Sequence, residues 1–216
     1  MRPTLRSHAQ YVKRLRLEDY SSLVGFTQAE LQAFRGGTLP DLLGPDVRLL
    51  FVGINPGLQT VAVQAHFGRR GNRFYPALFR AGIVDRVIDA SAGFSPDDLA
   101  QLKARGIGIT SLVANATARA DELSAEQLIA GARVLTDLVA RVRPNVVAML
   151  GITAYRVAFE RPKAVVGLQP ELIAGVQLWV VPNPSGLNAH ATLAGLSAAY
   201  REVALAAGID VFDEAH

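Results

Sequence analysis

The sequence predicts an α/β fold, a three-layer α/β/α sandwich around a central, mostly parallel four-stranded sheet. Three observations lead there. Short apolar runs such as Leu49-Leu50-Phe51-Val52 and Val176-Gln177-Leu178-Trp179-Val180-Val181 read as strands buried on both faces. Such runs alternate with helical stretches, which implies helices packed on both faces of a parallel sheet. Two Gly/Pro/Asn loops, Gly53-Ile54-Asn55-Pro56-Gly57 and Asn183-Pro184-Ser185-Gly186-Leu187, each follow one of these strands directly.

Each element has a local justification. Residues 1–40 read as a helical, partly basic extension, in which Thr27-Gln28-Ala29-Glu30 forms a capping box and Gly36-Gly37 ends the helix. The first strand covers about 47–53, and the Gly-containing stretch 57–71 reads as a loop. Asn72 caps a helix running to about Arg80 and ending near Gly82. Ser95-Pro96-Asp97-Asp98 opens another, with Pro at the first position and acids in the first turn. The second strand covers about 107–113. Ser124-Ala125-Glu126-Gln127 is a further capping box, and the helix behind it carries a one-sided stripe of Leu128, Ala132, Leu135, Val139 and Val142. Asn145 to Leu150 is the third strand, and a short helix after Gly151 runs through Phe159. The fourth strand covers about 176–181, and a last helix over 191–207 stops at Gly208.

Composition bounds the function. A chain of 216 residues, half of them hydrophobic, is read as one domain with a full core, spanning 1–216. Charges and prolines interrupt every apolar stretch before it reaches membrane-spanning length, and the N-terminus carries no signal-peptide pattern, so a soluble intracellular protein without membrane partners is expected. The chain has no cysteine, which excludes disulfides, thiol catalysis and cysteine-held clusters. No cofactor is called for. The histidines His8, His66, His190 and His216 lack ligand spacing, so no metal site is expected, and Gly53–Gly57 is no P-loop because no Gly-Lys-Ser/Thr follows. Net charge is +3. Lys occurs only at 13, 103 and 163 among 22 Lys and Arg, so the cations are mostly Arg. Arg2, Arg6, Lys13, Arg14 and Arg16 cluster at the start, and Arg69, Arg70 and Arg73 lie near the first loop. Such clusters suit a phosphate backbone; the first fits a solvated helix face equally well.

Loops at the carboxyl ends of parallel strands are where open α/β sheets place ligand sites. Gly permits close backbone approach there and Pro fixes φ. The two loops together resemble those of the mismatch-specific uracil/thymine-DNA glycosylases. Phe67 followed by Gly71-Asn72-Arg73-Phe74-Tyr75 is similar to that family's helix start, Gly106-Ile107-Gly108-Ile109-Thr110 to its middle strand, and Thr38-Leu39-Pro40-Asp41 to the lead-in of some members. Four ordered blocks at compatible spacing cover roughly residues 38–205.

The resemblance implies a monofunctional DNA-repair glycosylase. It would flip uracil, with thymine or modified pyrimidines as further substrates, out of a mismatch with guanine in double-stranded DNA, and then hydrolyse the N-glycosidic bond. It also implies a monomer working in a DNA-containing compartment, the cytoplasm or nucleoid. Asn55 matches the residue that positions the attacking water, although Asn-Pro by itself is a common turn starter. An amide takes no proton but holds a water by its oxygen, which suffices once the base has left an oxocarbenium-like sugar. Ile54, Gly57, His66, Phe67, Asn72 and Ser111 are the candidate base pocket. Phe67 would stack on the base, or else anchor the core. His66 would donate to a base carbonyl, and backbone N–H groups near Gly57 would steady the leaving uracil. Asn72 reads first as a helix cap, and Ser111 either contacts the base or serves the backbone. Asn183, Pro184, Ser185, Gly186, Leu187 and Asn188 form the candidate wedge and opposite-base loop, with Leu187 filling the space a flipped nucleotide leaves.

Two departures from the family pattern stand out. Asn188-Ala189-His190 replaces its Ser-Arg type of continuation, and the stretch 83–98 is several residues longer. That stretch carries Asp85, Asp89, Asp97 and Asp98. They read as surface acids, with Asp89 as the one spare carboxylate able to assist catalysis. Other readings are a broader uracil-DNA glycosylase that also accepts single strands, a non-catalytic DNA-binding module, and a Rossmann-like small-molecule binder. The last lacks its Gly-x-Gly-x-x-Gly turn.

Overall fold

The computed structural model describes residues 25–186 and 191–212. Its sheet has five strands in the order β2-β1-β3-β5-β4: β1 (Leu49–Gly53), β2 (Ile107–Ser111), β3 (Val146–Leu150), β4 (Gly167–Ile173) and β5 (Val176–Val181). The four expected strands are present and mutually parallel. β4 corrects the expected count of four, because it joins the edge of the sheet antiparallel to β5. Its sequence hides it. Pro170 sits at a register shift between Leu168 and Leu172, both of which are exposed, and the hairpin turn is Ala174-Gly175, both at positive φ, rather than the usual Asn-Gly.

Helices cover both faces. On one side α3 (Phe74–Arg80), α4 (Pro96–Ala104) and α7 (Leu193–Ala206) bury Phe74, Leu78, Leu102, Leu196 and Tyr200 against Leu49, Phe51, Ile107, Ile109 and Ala148. On the other, α5 (Ala125–Val142) and α6 (Ile152–Ala158) bury Leu128, Leu135, Val139 and Tyr155 against Leu50, Val52, Val147, Met149 and Val180. Successive residues of β1 thus point to opposite layers, and each fully buried Leu or Phe contributes roughly 1.5–3 kcal/mol. Both expected capping boxes form, Thr27 with Glu30 at α1 (Gln28–Gln32) and Ser124 with Gln127 at α5, and Ser95 with Asp98 makes a further one at α4. The expected stripe of α5 is its buried face, with Val142 partly buried at its end.

A second correction concerns 57–71. Leu58–Val63 is a helix, α2, starting at Gly57 and ending at Gln64 in the left-handed region. No side chain caps it, and three of its six residues, Thr60, Val61 and Val63, are β-branched, so nothing local announces it. It forms because Leu58 and Val61 are buried against Ala116, with Leu31 and Phe34 packed on the outside. The basic residues of segment 1–24 lie outside the described residues, as do Leu187, Asn188 and His190.

The chain leaves β1 for β2 on one side and places β3 on the other, so the topological switch point lies between β1 and β3. Gly53 registers with Ser111, and Leu150 with Val181. The loops after β1, β2, β3 and β5 therefore open at one edge, where such sheets bind ligands.

Candidate active site

The first loop is held by the segment after β2. Leu112 N–H donates to Gly53 O at 2.8 Å, Val113 N–H to Ile54 O at 2.9 Å and Thr117 N–H to Pro56 O at 3.3 Å. Half-buried Asn55 is oriented by the same segment. Its Nδ2 donates to Thr117 Oγ1 at 2.8 Å, to Asn115 O at 3.3 Å and to Pro56 O at 3.2 Å. The Thr117 hydroxyl donates onward to Arg119 O at 2.7 Å, so its lone pair must face Asn55. Among the described residues Oδ1 of Asn55 accepts no hydrogen bond.

Phe67 stands over this loop. A Cβ on Gly53 would lie 3.5 Å from its ring, an ordinary contact distance, so the aromatic edge packs directly over this glycine. The ring stacks on Phe74 with centroids 4.0 Å apart, and the residue adopts φ +56°, a left-handed conformation that a bulky side chain rarely takes. Its neighbours hold it there. The buried Tyr75 hydroxyl donates to His66 O at 2.8 Å, and a Cβ on Gly68 would meet Ala90 O at 2.6 Å. His66 is only 4 % exposed, and its Nε2 lies 3.0 Å from Pro40 O. A carbonyl only accepts, so Nε2 carries the proton. Burial lowers the imidazole pKa, while the Pro40 contact and Asp41 oppose that shift. The single N–H of neutral His66 is thus directed at Pro40 and not at the loops, which differs from its expected role as donor to a base.

The two loops meet. Ile54 Cδ1 and Asn183 Nδ2 would each lie 3.5 Å from a Cβ on Gly151, so the two loops converge beside this residue at the switch point. The second loop begins with an Asx turn in which Ser185 N–H donates to Asn183 Oδ1 at 2.9 Å. Asn72 Oδ1 accepts from Phe74 N–H at 2.9 Å in an Asx turn that leads into α3; the N-cap position itself is Arg73, so Asn72 stands one residue ahead of the cap it was expected to be. Ser111 is half-buried beside Gly53, and among the described residues its hydroxyl has no partner.

Residues 40–207 match the uracil DNA glycosylase superfamily. The chain belongs to that superfamily. Its fold is similar to the solution NMR structure of a candidate uracil DNA glycosylase from Methanosarcina acetivorans, with a TM-score of 0.55 at 17 % identity, over 78 % of this chain and 98 % of that one. Superfamily membership supports a DNA glycosylase activity in general and DNA as the substrate.

Asp89 is exposed, and its carboxylate accepts from Ser91 N–H at 2.9 Å. That contact, helped by Arg70, holds its carboxyl below the usual range, so it is a charged surface group next to the Phe67 loop. Arg69 and Arg70 are exposed, whereas Arg73 turns inward onto backbone carbonyls. A cavity of about 410 Å³ opens between Asp41, His66, Phe94, Leu99 and Lys103, and neither loop lines it. Thr117 and Asn115 were not anticipated from the sequence, and Tyr75 stood there only as the last residue of the Gly71–Tyr75 run. No local signal marks Thr117, because its partner Asn55 is 62 residues away. Among the described residues no cluster of three or more His, Asp or Glu is placed to hold a metal, and no helix is long and apolar enough to cross a membrane.

Proposed function

We propose that this member of the superfamily excises uracil mispaired with guanine from double-stranded DNA, as a monofunctional glycosylase. The observation that supports this reading is the orientation of Asn55. With Nδ2 committed to Thr117 and Asn115, the free Oδ1 is an acceptor for one water hydrogen at the mouth of the switch point. A water held this way is a weak nucleophile. It suits a path in which the glycosidic bond breaks first, the electron pair leaves with uracil, and water then adds to the oxocarbenium-like sugar and gives up its proton to solvent.

Phe67 offers the extruded base its ring on the side away from Phe74, with Ile54, Gly57 and Ser111 around the pocket. The second loop fills the gap left in the duplex through Leu187, and Asn188 and Gly186 face the widowed guanine. Exposed Arg69 and Arg70 supply positive charge for the flanking phosphates. Mismatched uracil is favoured because flipping costs a few kcal/mol, less where pairing is poor.

The test is incubation with U·G duplex in the presence of EDTA. Free uracil and an intact strand bearing an abasic site are expected. Direct nicking, or activity that disappears with EDTA, would overturn the reading, and turnover of single-stranded uracil equal to that of U·G would replace it with the broader specificity.

A further inference from the structure

One side chain ties the pocket segment to the second loop. Arg73 is half-buried at the start of α3, between Asn72 and Phe74. Its backbone N–H donates to Pro184 O at 3.1 Å. Its guanidinium donates through Nε to Pro184 O at 3.4 Å, through one terminal nitrogen to Ser185 O at 2.6 Å and through the other to Ala191 O. These acceptors lie 111 to 118 residues away along the chain, on both sides of 187–190. A second contact lies beside the first: a Cβ on Gly186 would stand 2.8 Å from Gly71 O. The backbones of 71–73 and 184–186 are therefore in direct apposition.

We infer that Arg73 is a positioning residue for base extrusion, setting the second loop at a fixed height relative to the pocket that Phe67 and Phe74 form. The inference rests on the glycosylase reading of the site. Planar guanidinium suits this task because its fork reaches three carbonyls in different directions, whereas a Lys ammonium is a compact point charge on a flexible stem. Donation to carbonyls also uses up the donors that a phosphate-binding arginine would present to DNA. Arg73 thus differs in kind from its neighbours Arg69 and Arg70. Loosening this staple should matter most where extrusion is hardest, and least where the base is already unpaired.

Single-turnover uracil release is measured on U·A duplex, U·G duplex and single-stranded DNA for Arg73→Ala and Arg73→Lys. The expected loss for Arg73→Ala is about tenfold on U·G, equivalent to one charge-assisted hydrogen bond, with a larger loss on U·A and the smallest on single strands. Arg73→Lys recovers part of the duplex rate. The salt dependence of duplex binding stays that of the wild type, whereas a lost phosphate contact would reduce the slope by about one. Equal losses on all three substrates, an unchanged duplex rate, or a reduced salt slope would each overturn the inference. If Arg73→Ala fails to fold, Gly186→Ala carries the test. It pushes the second loop off Gly71 O with Arg73 intact and should give the same ordering of losses. A wild-type chain that releases no uracil overturns the glycosylase reading and this inference together; an active wild type with substrate-independent losses overturns the inference alone.

Discussion

The Asn55 amide and the Thr117 hydroxyl form a directed pair, with Nδ2 donating to Oγ1 at 2.8 Å while Oγ1 donates its own hydrogen to Arg119 O. The direction of the second bond dictates that of the first. A hydroxyl that has given its hydrogen away has only lone pairs to offer, so Asn55 must present its nitrogen there and its oxygen outward.

Thr117→Val keeps the shape and removes the acceptor. Asn55 then loses the contact that distinguishes its two ends. The expected result is a fall of about tenfold in single-turnover uracil release with duplex affinity unchanged, the cost of losing one half-buried hydrogen bond. Thr117→Ser retains the hydroxyl and should stay close to wild type. A Ser variant as slow as the Val variant would mean that the methyl group matters instead.

Asn55→Ala removes the acceptor for water. A loss of about a hundredfold or more in single-turnover rate is expected, since misplacing a reactant by an ångström costs that much. Binding of uncleaved duplex should be nearly intact. If most of the rate survives, another group positions the water, and Asp89→Asn is the next variant to measure. Its carboxylate is already charged and lies on the surface beside the Phe67 loop.

Leu187→Ala should slow release from U·A more than from U·G, and single strands least. A paired uracil depends more on a side chain that fills the vacated stack. Leu187 lies outside the described residues, and this expectation comes from its place in the Asn-Pro-Ser-Gly-Leu run. Equal losses on all three substrates would assign Leu187 to the fold.

His66 makes folding stability depend on pH. Its ordinary value is 6.5 and burial lowers it in the folded chain. The unfolded state therefore binds the proton more readily than the folded state. Stability from keeping the ring neutral is full above 6.5 and is lost as pH falls through 6.5 toward the lowered folded value. His66→Gln keeps an N–H for Pro40 O and does not titrate in this range. Thermal unfolding of the wild type should drop further between pH 7.5 and 5.5 than that of His66→Gln. Parallel curves would show that the ring is already solvated.

Much of this protein was written locally. Leu49–Val52 reads as a strand buried on both faces because every residue is apolar, and both layers of the sandwich do bury it. Ser124 with Gln127 announces α5 because a capping box needs only three residues of separation. The site loops were legible for the same reason: Gly and Pro punctuate the chain wherever they stand, and Asn72 turns the chain into α3 through a bond to a donor only two residues on, although the cap position itself falls to Arg73. What escaped were features decided by distant partners. β4 pairs with β5 in spite of Pro170 and the exposed Leu168 and Leu172, because the sheet edge offers backbone groups that need no apolar pattern. α2 exists because Ala116 and Phe34 cover it, not through any cap of its own. Asn55 gains its direction from Thr117, Phe67 its left-handed backbone from the clamp around His66 and Gly68, and Arg73 its three carbonyls from beyond residue 180. Propensity and capping act within a few residues, so a sequence displays them. The orientation of a polar group is set by whichever donor or acceptor the folded chain brings to it, and only the tertiary structure decides which that is.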